Sequence, residues 1–263
     1  MEFVKLNNGI KIPQIGYGVY QIPEEITKEC VLIALKIGYR HIDTAFMYHN
    51  EKEVGDAIKE SNIDRSEIFL TTKIVNAKNY DEACQMIERA LKTLQVDYID
   101  LLLIHWPAGD NLAMYKAMED YYFQGKLKAI GLSNFYGDEL ENIIKHARVT
   151  PMINQIEAHV FNCQLEAQKE LEKNHIVLEA WSPLAAAKLD IFSNPTLVKI
   201  ANKYHKTVAQ IALRYLYQRN IVIIPRSKNK ERMKENFDIL DFSIDVDDII
   251  EIEKLDRKRS IYQ

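Results

Sequence analysis

Four residues carry most of the chemistry this sequence offers: Asp43, Tyr48, Lys73 and His105. A free tyrosine titrates near ~10 and is a poor proton donor or acceptor at neutral pH. A lysine ammonium beside it favours the phenolate and lowers that value, while an aspartate behind the lysine keeps the ammonium charged and fixed. Such a tyrosine can give its proton to an alkoxide developing on a carbonyl. A neutral histidine alongside gives the same oxygen a second hydrogen bond, as an oxyanion hole does. The set contains no activated nucleophile and no metal-ligand spacing, so the electrons must come from a hydride-donating cofactor. Taken singly, each residue has an ordinary structural role: Asp43 as a helix cap, Lys73 as a snorkelling side chain, His105 as a satisfied core histidine. Their convergence on one place is what those roles leave unexplained.

The elements that would position them follow from the apolar pattern. Eight short apolar runs occur at residues 15–19, 40–45, 68–74, 99–106, 127–134, 152–158, 176–184 and 221–227. They alternate with stretches of helical period at 27–37, 51–59, 81–94, 113–123, 138–146, 165–173 and 207–218. Asn50, Asp81 and Asp138 read as N-caps, and Gly38 and Gly125 as the glycines that end helices. Near-continuous apolar strands separated by helices imply a parallel sheet covered on both faces. Eight such units in one chain predict an α/β fold, a (β/α)8 TIM barrel forming a single domain over residues 1–263. An apolar pair at 3–6 and 11–13, around Asn7-Asn8-Gly9, predicts a β-hairpin closing the barrel bottom. Barrel enzymes place reactive groups at the C-terminal strand ends. Those ends here carry Asp43, Thr72-Lys73, His105-Trp106, Ser133-Asn134, Gln155 with Glu157, Trp181-Ser182 and Arg226-Ser227.

Several segments carry a resemblance. Gly38-Tyr-Arg-His-Ile-Asp-Thr-Ala-Phe-Met-Tyr-His-Asn-Glu51 is similar to the first signature of the aldo-keto reductase superfamily. Leu102-Leu-Ile-His-Trp-Pro107 and Gly125-Lys-Leu-Lys-Ala-Ile-Gly-Leu-Ser-Asn-Phe135 resemble its second region, and Ile224-Pro-Arg-Ser227 with Arg232, Glu235 and Asn236 its C-terminal signature. Asn154-Gln-Ile-Glu157 and Ala180-Trp-Ser-Pro-Leu184 match as well, so the likeness runs the length of the chain, nearest to bacterial diketogluconate and glyoxal reductases. It implies NADPH-dependent reduction of aldehydes and ketones to alcohols, with Tyr48 as proton donor, Lys73 and Asp43 supporting it, and His105 orienting the carbonyl. It places Ser133, Asn134 and Gln155 at the nicotinamide carboxamide, Trp181 under the ring, and Ser182 and Leu184 beside the pyrophosphate. Arg226, Ser227 and Arg232 would grip the 2′-phosphate, with Glu235 and Asn236 at the adenine. Tyr20, Phe46, Val75 and Trp106 would wall the substrate pocket. Tyr20 departs from a tryptophan common in relatives, and Val75 from an aromatic. Only seven residues follow Asp256, so the expected pocket is uncovered on one side and tolerant.

Composition bounds the rest. The chain has 263 residues, 47% of them hydrophobic, and a formal net charge of -4, which offers nothing to nucleic acid or an anionic membrane. No run approaches the ~20 apolar residues of a membrane span, and residues 1–13 lack a secretory h-region. Three cysteines far apart read as reduced thiols. These features predict a cytoplasmic chain with no metal, and the resemblance implies a monomer acting on a small carbonyl compound. Rival readings are a glycoside hydrolase using Glu157 and Glu179, a serine hydrolase at Ser133, and a non-catalytic barrel that senses NADPH. Ser133 lacks the second glycine of a nucleophile elbow.

Overall fold

The computed structural model describes residues 2–262; Met1 and Gln263, the ends of the expected domain, lie outside the described residues. Eight parallel strands follow one another round a single sheet: β3 (Tyr17–Gly18), β4 (His41–Asp43), β5 (Phe69–Ile74), β6 (Ile99–Ile104), β7 (Leu127–Ser133), β8 (Ile153–Glu157), β9 (Val177–Trp181) and β10 (Val222–Ile223). Each lies inside one of the eight apolar runs. Both faces must be covered for such runs to be stable, and all six residues of β5 are indeed buried, Lys73 included.

The sheet closes on itself. Ile15 and Ile223 form a parallel bridge, with Gly16 N donating to Ile223 O at 2.8 Å and Ile223 N to Gln14 O at 2.9 Å. Gly18 N reaches Pro225 O at 3.2 Å. The seam is short because Pro13 and Pro225, with no N–H to give, flank it. A side chain is also impossible at Gly16, where a Cβ would stand 2.5 Å from the His41 ring.

Helices α1 (Glu24–Ile37), α2 (Glu51–Glu60), α3 (Tyr80–Leu94), α4 (Asn111–Phe123), α5 (Gly137–His146) and α6 (Leu165–Lys173) separate the strands from β3 to β9. Two helices, α7 (Pro195–Tyr204) and α8 (Val208–Gln218), precede β10, and α9 (Lys230–Phe237) and α10 (Val246–Glu253) follow it. The sequence reading leaves 195–204 unassigned. There Asn194 Oδ1 accepts from the N–H groups of Thr196 and Leu197, and Pro195 opens the helix where its missing N–H costs nothing.

The expected caps are redistributed. Asn50 occupies an N-cap position, but its amide turns inward, accepting from Thr44 Oγ1 at 2.9 Å and donating to Val19 O at 3.0 Å. Asn79, not Asp81, caps α3, through Glu82 N at 2.9 Å. Tyr136 precedes α5 and leaves Asp138 in the first turn, where a carboxylate suits the helix dipole. Gly38 and Gly125 end their helices with φ of 126° and 74°.

The hairpin of β1 (Phe3–Lys5) and β2 (Lys11–Pro13) pairs Val4 with Ile12 and buries both. Its turn is stitched across the barrel's N-terminal end: Asn7 Nδ2 donates to Pro151 O and His175 O, and Asn8 Nδ2 to Lys128 O at 3.0 Å. Those carbonyls lie at or just before the starts of β8, β9 and β7.

Candidate active site

The C-terminal strand ends open into one cleft of about 1290 Å³, lined by Asp43, Tyr48, His105, Ser133, Asn134, Gln155 and Trp181 among others. Lys73 lies beneath its floor. The Lys73 ammonium is fully buried and donates to Asp43 Oδ1 at 2.6 Å, Thr44 O at 3.0 Å and Tyr48 Oη at 3.4 Å. Tyr48 sits in a single 3-10 turn just past β4, closed by His49 in the left-handed region. Its ring meets His105 edge-on, the centroids 5.6 Å apart. Sequence distance between these residues is large; the register of β4, β5 and β6 removes it.

The electrostatics refine the expectation about Tyr48. Burial pushes its phenol up to about 12, and the Lys73 ammonium only partly opposes that rise. Tyr48 is therefore a fully protonated acid at neutral pH, with lysine limiting the increase rather than reversing it. Burial works against the charge on Lys73, but Asp43 and Tyr48 outweigh it and its pKa is raised. Burial, with Lys73 adding to it, lowers His105 to about 3, so its imidazole is neutral. A neutral imidazole can donate one hydrogen bond without taking the proton that Tyr48 holds.

A second network joins the quartet. Gln155 Nε2 donates to Asp43 Oδ2 at 2.8 Å, and Ser133 Oγ donates to Gln155 O at 2.9 Å. Asn134 Nδ2 reaches Ser133 Oγ and His105 O, both at 3.0 Å, and Trp181 Nε1 donates to Asn134 Oδ1 at 2.8 Å. Asn134 and Ser182 take positive φ, 63° and 49°, at the ends of β7 and β9. Such conformations cost roughly 1–3 kcal/mol each and cluster at sites where the surroundings impose them. Ser182 and Leu184 continue the cleft wall, and Arg226, Ser227, Arg232, Glu235 and Asn236 form its far end. Tyr17 Oη fixes Ser227 by its carbonyl at 2.6 Å, Asn229 caps α9 through Arg232 N at 3.0 Å, and Glu235 accepts from Thr207 Oγ1 at 2.6 Å. Lys228, Gln21, Met47, Phe192, Ile261 and Tyr262 also line the cleft and were not expected from the sequence; Lys188 lines it too, from the segment 185–188 that the resemblance places over the pyrophosphate. For Lys228 the signal was present: it directly follows Arg226-Ser227.

The donor set fits a phosphorylated dinucleotide. Arginines and a lysine crowd one end beside a helix N-terminus, a usual arrangement for phosphate. Amides and an indole occupy the middle, and the proton-donating quartet the other end.

The expected substrate wall is half corrected. Tyr20 and Trp106 line the cleft, Tyr20 packing on Tyr48 at 5.0 Å between centroids. Phe46 and Val75 do not. The Phe46 ring turns outward beneath the Arg89 guanidinium, 3.4 Å from its centroid, and Met47 takes the place on the wall. Val75 follows the last residue of β5 and is only half-buried, outside the lining. The open side is corrected too. Ser260 Oγ and Ile261 N both donate to the Glu157 carboxylate, at 2.7 and 2.8 Å, which draws the tail over the mouth. Tyr262 then lies 6.0 Å from Trp181 and under the Lys188 ammonium. Burial works to raise Glu157, but its bonds from His159, Ser260 and Ile261 prevail and hold it below the usual range.

The same contacts dispose of two rivals. Glu157 is committed to His159 and the tail, and Glu179 lies outside the cleft lining, so these two carboxylates do not face a substrate together. Ser133 donates to Gln155 O and has no histidine at its oxygen.

The Aldo/keto reductase family model matches residues 13–257. Glyoxal reductase of Bacillus subtilis (strain 168) is 42% identical over 264 residues, covering 99% of this chain and 95% of that one. An aldo-keto reductase enzyme from a Medee basin deep-sea metagenome library superposes with a TM-score of 0.97 at 44% identity, over 99% of this chain and 97% of the other. An aldo-keto reductase of Bombyx mori, solved in complex with NADP, gives a TM-score of 0.93 at 32% identity over 99% and 94%. With a closed barrel, a buried lysine between an aspartate and a tyrosine, and likeness over nearly its whole length, the chain belongs to the aldo/keto reductase family and is an oxidoreductase.

Proposed function

We propose that the chain, acting as one domain, reduces small uncharged aldehydes and dicarbonyls to alcohols with NADPH. The observation that carries this reading is Lys73, buried and bonded at once to Asp43 and Tyr48 beside a neutral His105. The cofactor supplies the hydride. Tyr48 gives its phenolic proton to the carbonyl oxygen, and His105 donates a hydrogen bond that orients that oxygen and stabilises its growing charge. Lys73 steadies the phenolate left behind, and Asp43, itself held by Gln155, keeps the ammonium in place. Ser133, Asn134 and Gln155 are assigned to the carboxamide, Trp181 to the nicotinamide face, Ser182 and Leu184 to the pyrophosphate, and Glu235 and Asn236 to the adenine.

Around Tyr48 and His105 the wall is Tyr20, Met47, Trp106 and Tyr262; Lys73 beneath them is held by Asp43, and Lys188 lies over the outer Tyr262 ring rather than beside the two reactive groups. This largely aromatic wall suits a small neutral carbonyl compound better than a carboxylated sugar. Glyoxal reductase among the relatives agrees with that class. No helix among the described residues is long and apolar enough to cross a membrane. We place the enzyme in the cytoplasm, as a monomer.

Preference for NADPH over NADH rests on Arg226 and Arg232, which approach one end of the cleft from the end of β10 and from α9. A hydrogen bond to a charged group contributes ~1.5–3 kcal/mol, so two favour the 2′-phosphate by roughly 10²–10⁴ before solvent and salt discount it. The test is kcat/KM for both cofactors at two salt concentrations, in wild type and Arg232→Ala. The expected result is a large ratio that shrinks with salt and falls in the variant. A ratio near one, or one unchanged by the substitution, rejects the assignment.

A further inference from the structure

One pleat closer to the N-terminal end of the barrel than the reactive quartet lies a polar layer that the reaction does not use. It consists of Glu179 on β9 with His41 and Thr71 on β4 and β5, all with no exposure to solvent. His41 Nε2 bonds Thr71 Oγ1 at 3.0 Å and stands 3.7 Å from Glu179 Oε1. Neither oxygen of Glu179 has a well-formed hydrogen bond, and the neighbouring Gln155 amide, already given to Asp43 at 2.8 Å, offers it only a minor one. An ionised carboxylate buried with so few partners is among the most costly arrangements a fold can hold.

The charges facing Glu179 decide its state. From β4 come Asp43 and His41, from β5 Lys73; the flanking strands set Gln155 of β8 and the apolar Val222 of β10 beside it in register. Lys73 is the one cation of the group, and Asp43 already holds it at 2.6 Å. A second carboxylate would leave this fully buried layer with net negative charge. His41 does not balance it, since burial and the Lys73 ammonium lower its imidazole to about 3. The remaining solution is for Glu179 to keep its proton. Burial, with Asp43 adding to it, outweighs the opposing pull of Lys73 and Gln155 and pushes this carboxyl up to about 8.

We propose that Glu179 is a positioning residue for the proton-donating tyrosine: as a neutral acid beneath the Asp43–Lys73 pair it leaves the lysine's charge undivided for Tyr48, and its ionisation weakens Tyr48 as an acid. The direction follows from Coulomb's law. A new negative charge near Lys73 screens the ammonium from Tyr48, raises the phenol further, and makes proton donation to the substrate harder. This inference rests on Tyr48 being the proton donor.

The test compares wild type with Glu179→Gln, which keeps the shape and cannot ionise. Initial rates of NADPH oxidation with a chemistry-limited aldehyde are measured from pH 5.5 to 9.5. The two enzymes should agree below pH 7, where both side chains are neutral. Above pH 8 wild type should lose rate through an ionisation that the variant lacks, so the variant-to-wild-type ratio rises several-fold. Superimposable profiles, or a loss in the variant that is uniform across pH, would overturn the proposal. Infrared spectra of the NADPH-bound wild type give a second readout that needs no variant: a protonated-carboxyl band present at pH 7 and lost on alkaline titration. Its absence at pH 7 refutes the neutral acid even if Glu179→Gln fails to fold. Wild type that reduces no carbonyl at any pH refutes instead the role given to Tyr48, and leaves the band to report on Glu179 alone.

Discussion

At Tyr48 two influences of opposite sign meet: burial, which disfavours the phenolate, and the Lys73 ammonium 3.4 Å from the hydroxyl, which favours it. The proton is thus tightly held in the resting site and moves only when an alkoxide appears to take it. Tyr48→Phe should lower kcat by about 10²–10⁴, the usual contribution of a general acid, with NADPH affinity nearly unchanged because the hydroxyl acts on the substrate. Retention of more than about a tenth of the wild-type rate would exclude Tyr48 as the acid. Lys73→Met should be comparably slow but also less stable. It strands Asp43, which is 2% exposed, as a buried carboxylate without its cation, and breaking a buried pair costs about 3–5 kcal/mol. A melting curve separates the two variants: only Lys73→Met should show a large drop. The residue types of this quartet were legible in the sequence because nothing else explains polar groups at the ends of apolar runs. The net direction of the Tyr48 shift was not, since it depends on how completely the site excludes water.

Among the elements, strands and most helices were legible from period alone. Buried parallel strands have to be apolar along their whole length, and covering helices have to be apolar on one face. What the pattern hid were choices between competing polar contacts. Asn50 abandons its cap for Thr44 and Val19, and Phe46 leaves the pocket for Arg89. The C-terminal segment is the largest case: seven residues past Asp256 look too few to cover anything until Glu157 is seen to anchor Ser260 and Ile261. Glu157→Gln should free this segment. The expected outcome is a raised KM for carbonyls with kcat little changed, and faster proteolytic clipping after residue 256. An unchanged KM together with unchanged clipping would show that the anchor contributes nothing. In wild type the anchor is a carboxylate held below its ordinary range, so it persists through neutral pH. Its stabilising contribution is present above the ordinary glutamate range and is lost as pH falls through the lowered folded-state value.

At the scale of the whole molecule, the barrel is held at its bottom by the N-terminal hairpin and at its side by the β3–β10 seam. Asn7 and Asn8 bond three strand entrances from one turn. Replacing both by alanine should cost about 0.5–1.5 kcal/mol for each bond lost, read as a lower urea midpoint with kcat unchanged, because the site lies at the opposite end. A fall in kcat at unchanged stability would contradict that separation. The seam has a consequence in time. Asp43, Tyr48, Lys73 and His105 are all made by residue 105, but Arg226 and Arg232, and the strand that closes the circle at Ile223, come more than a hundred residues later. At ~5–20 residues per second, a ribosome spends on the order of ten seconds holding a chain that owns every reactive group but lacks the arginine end of the cleft. A translation product that ends before the last strand would carry the reactive groups in an unclosed barrel, without the arginines that are proposed to hold the 2′-phosphate.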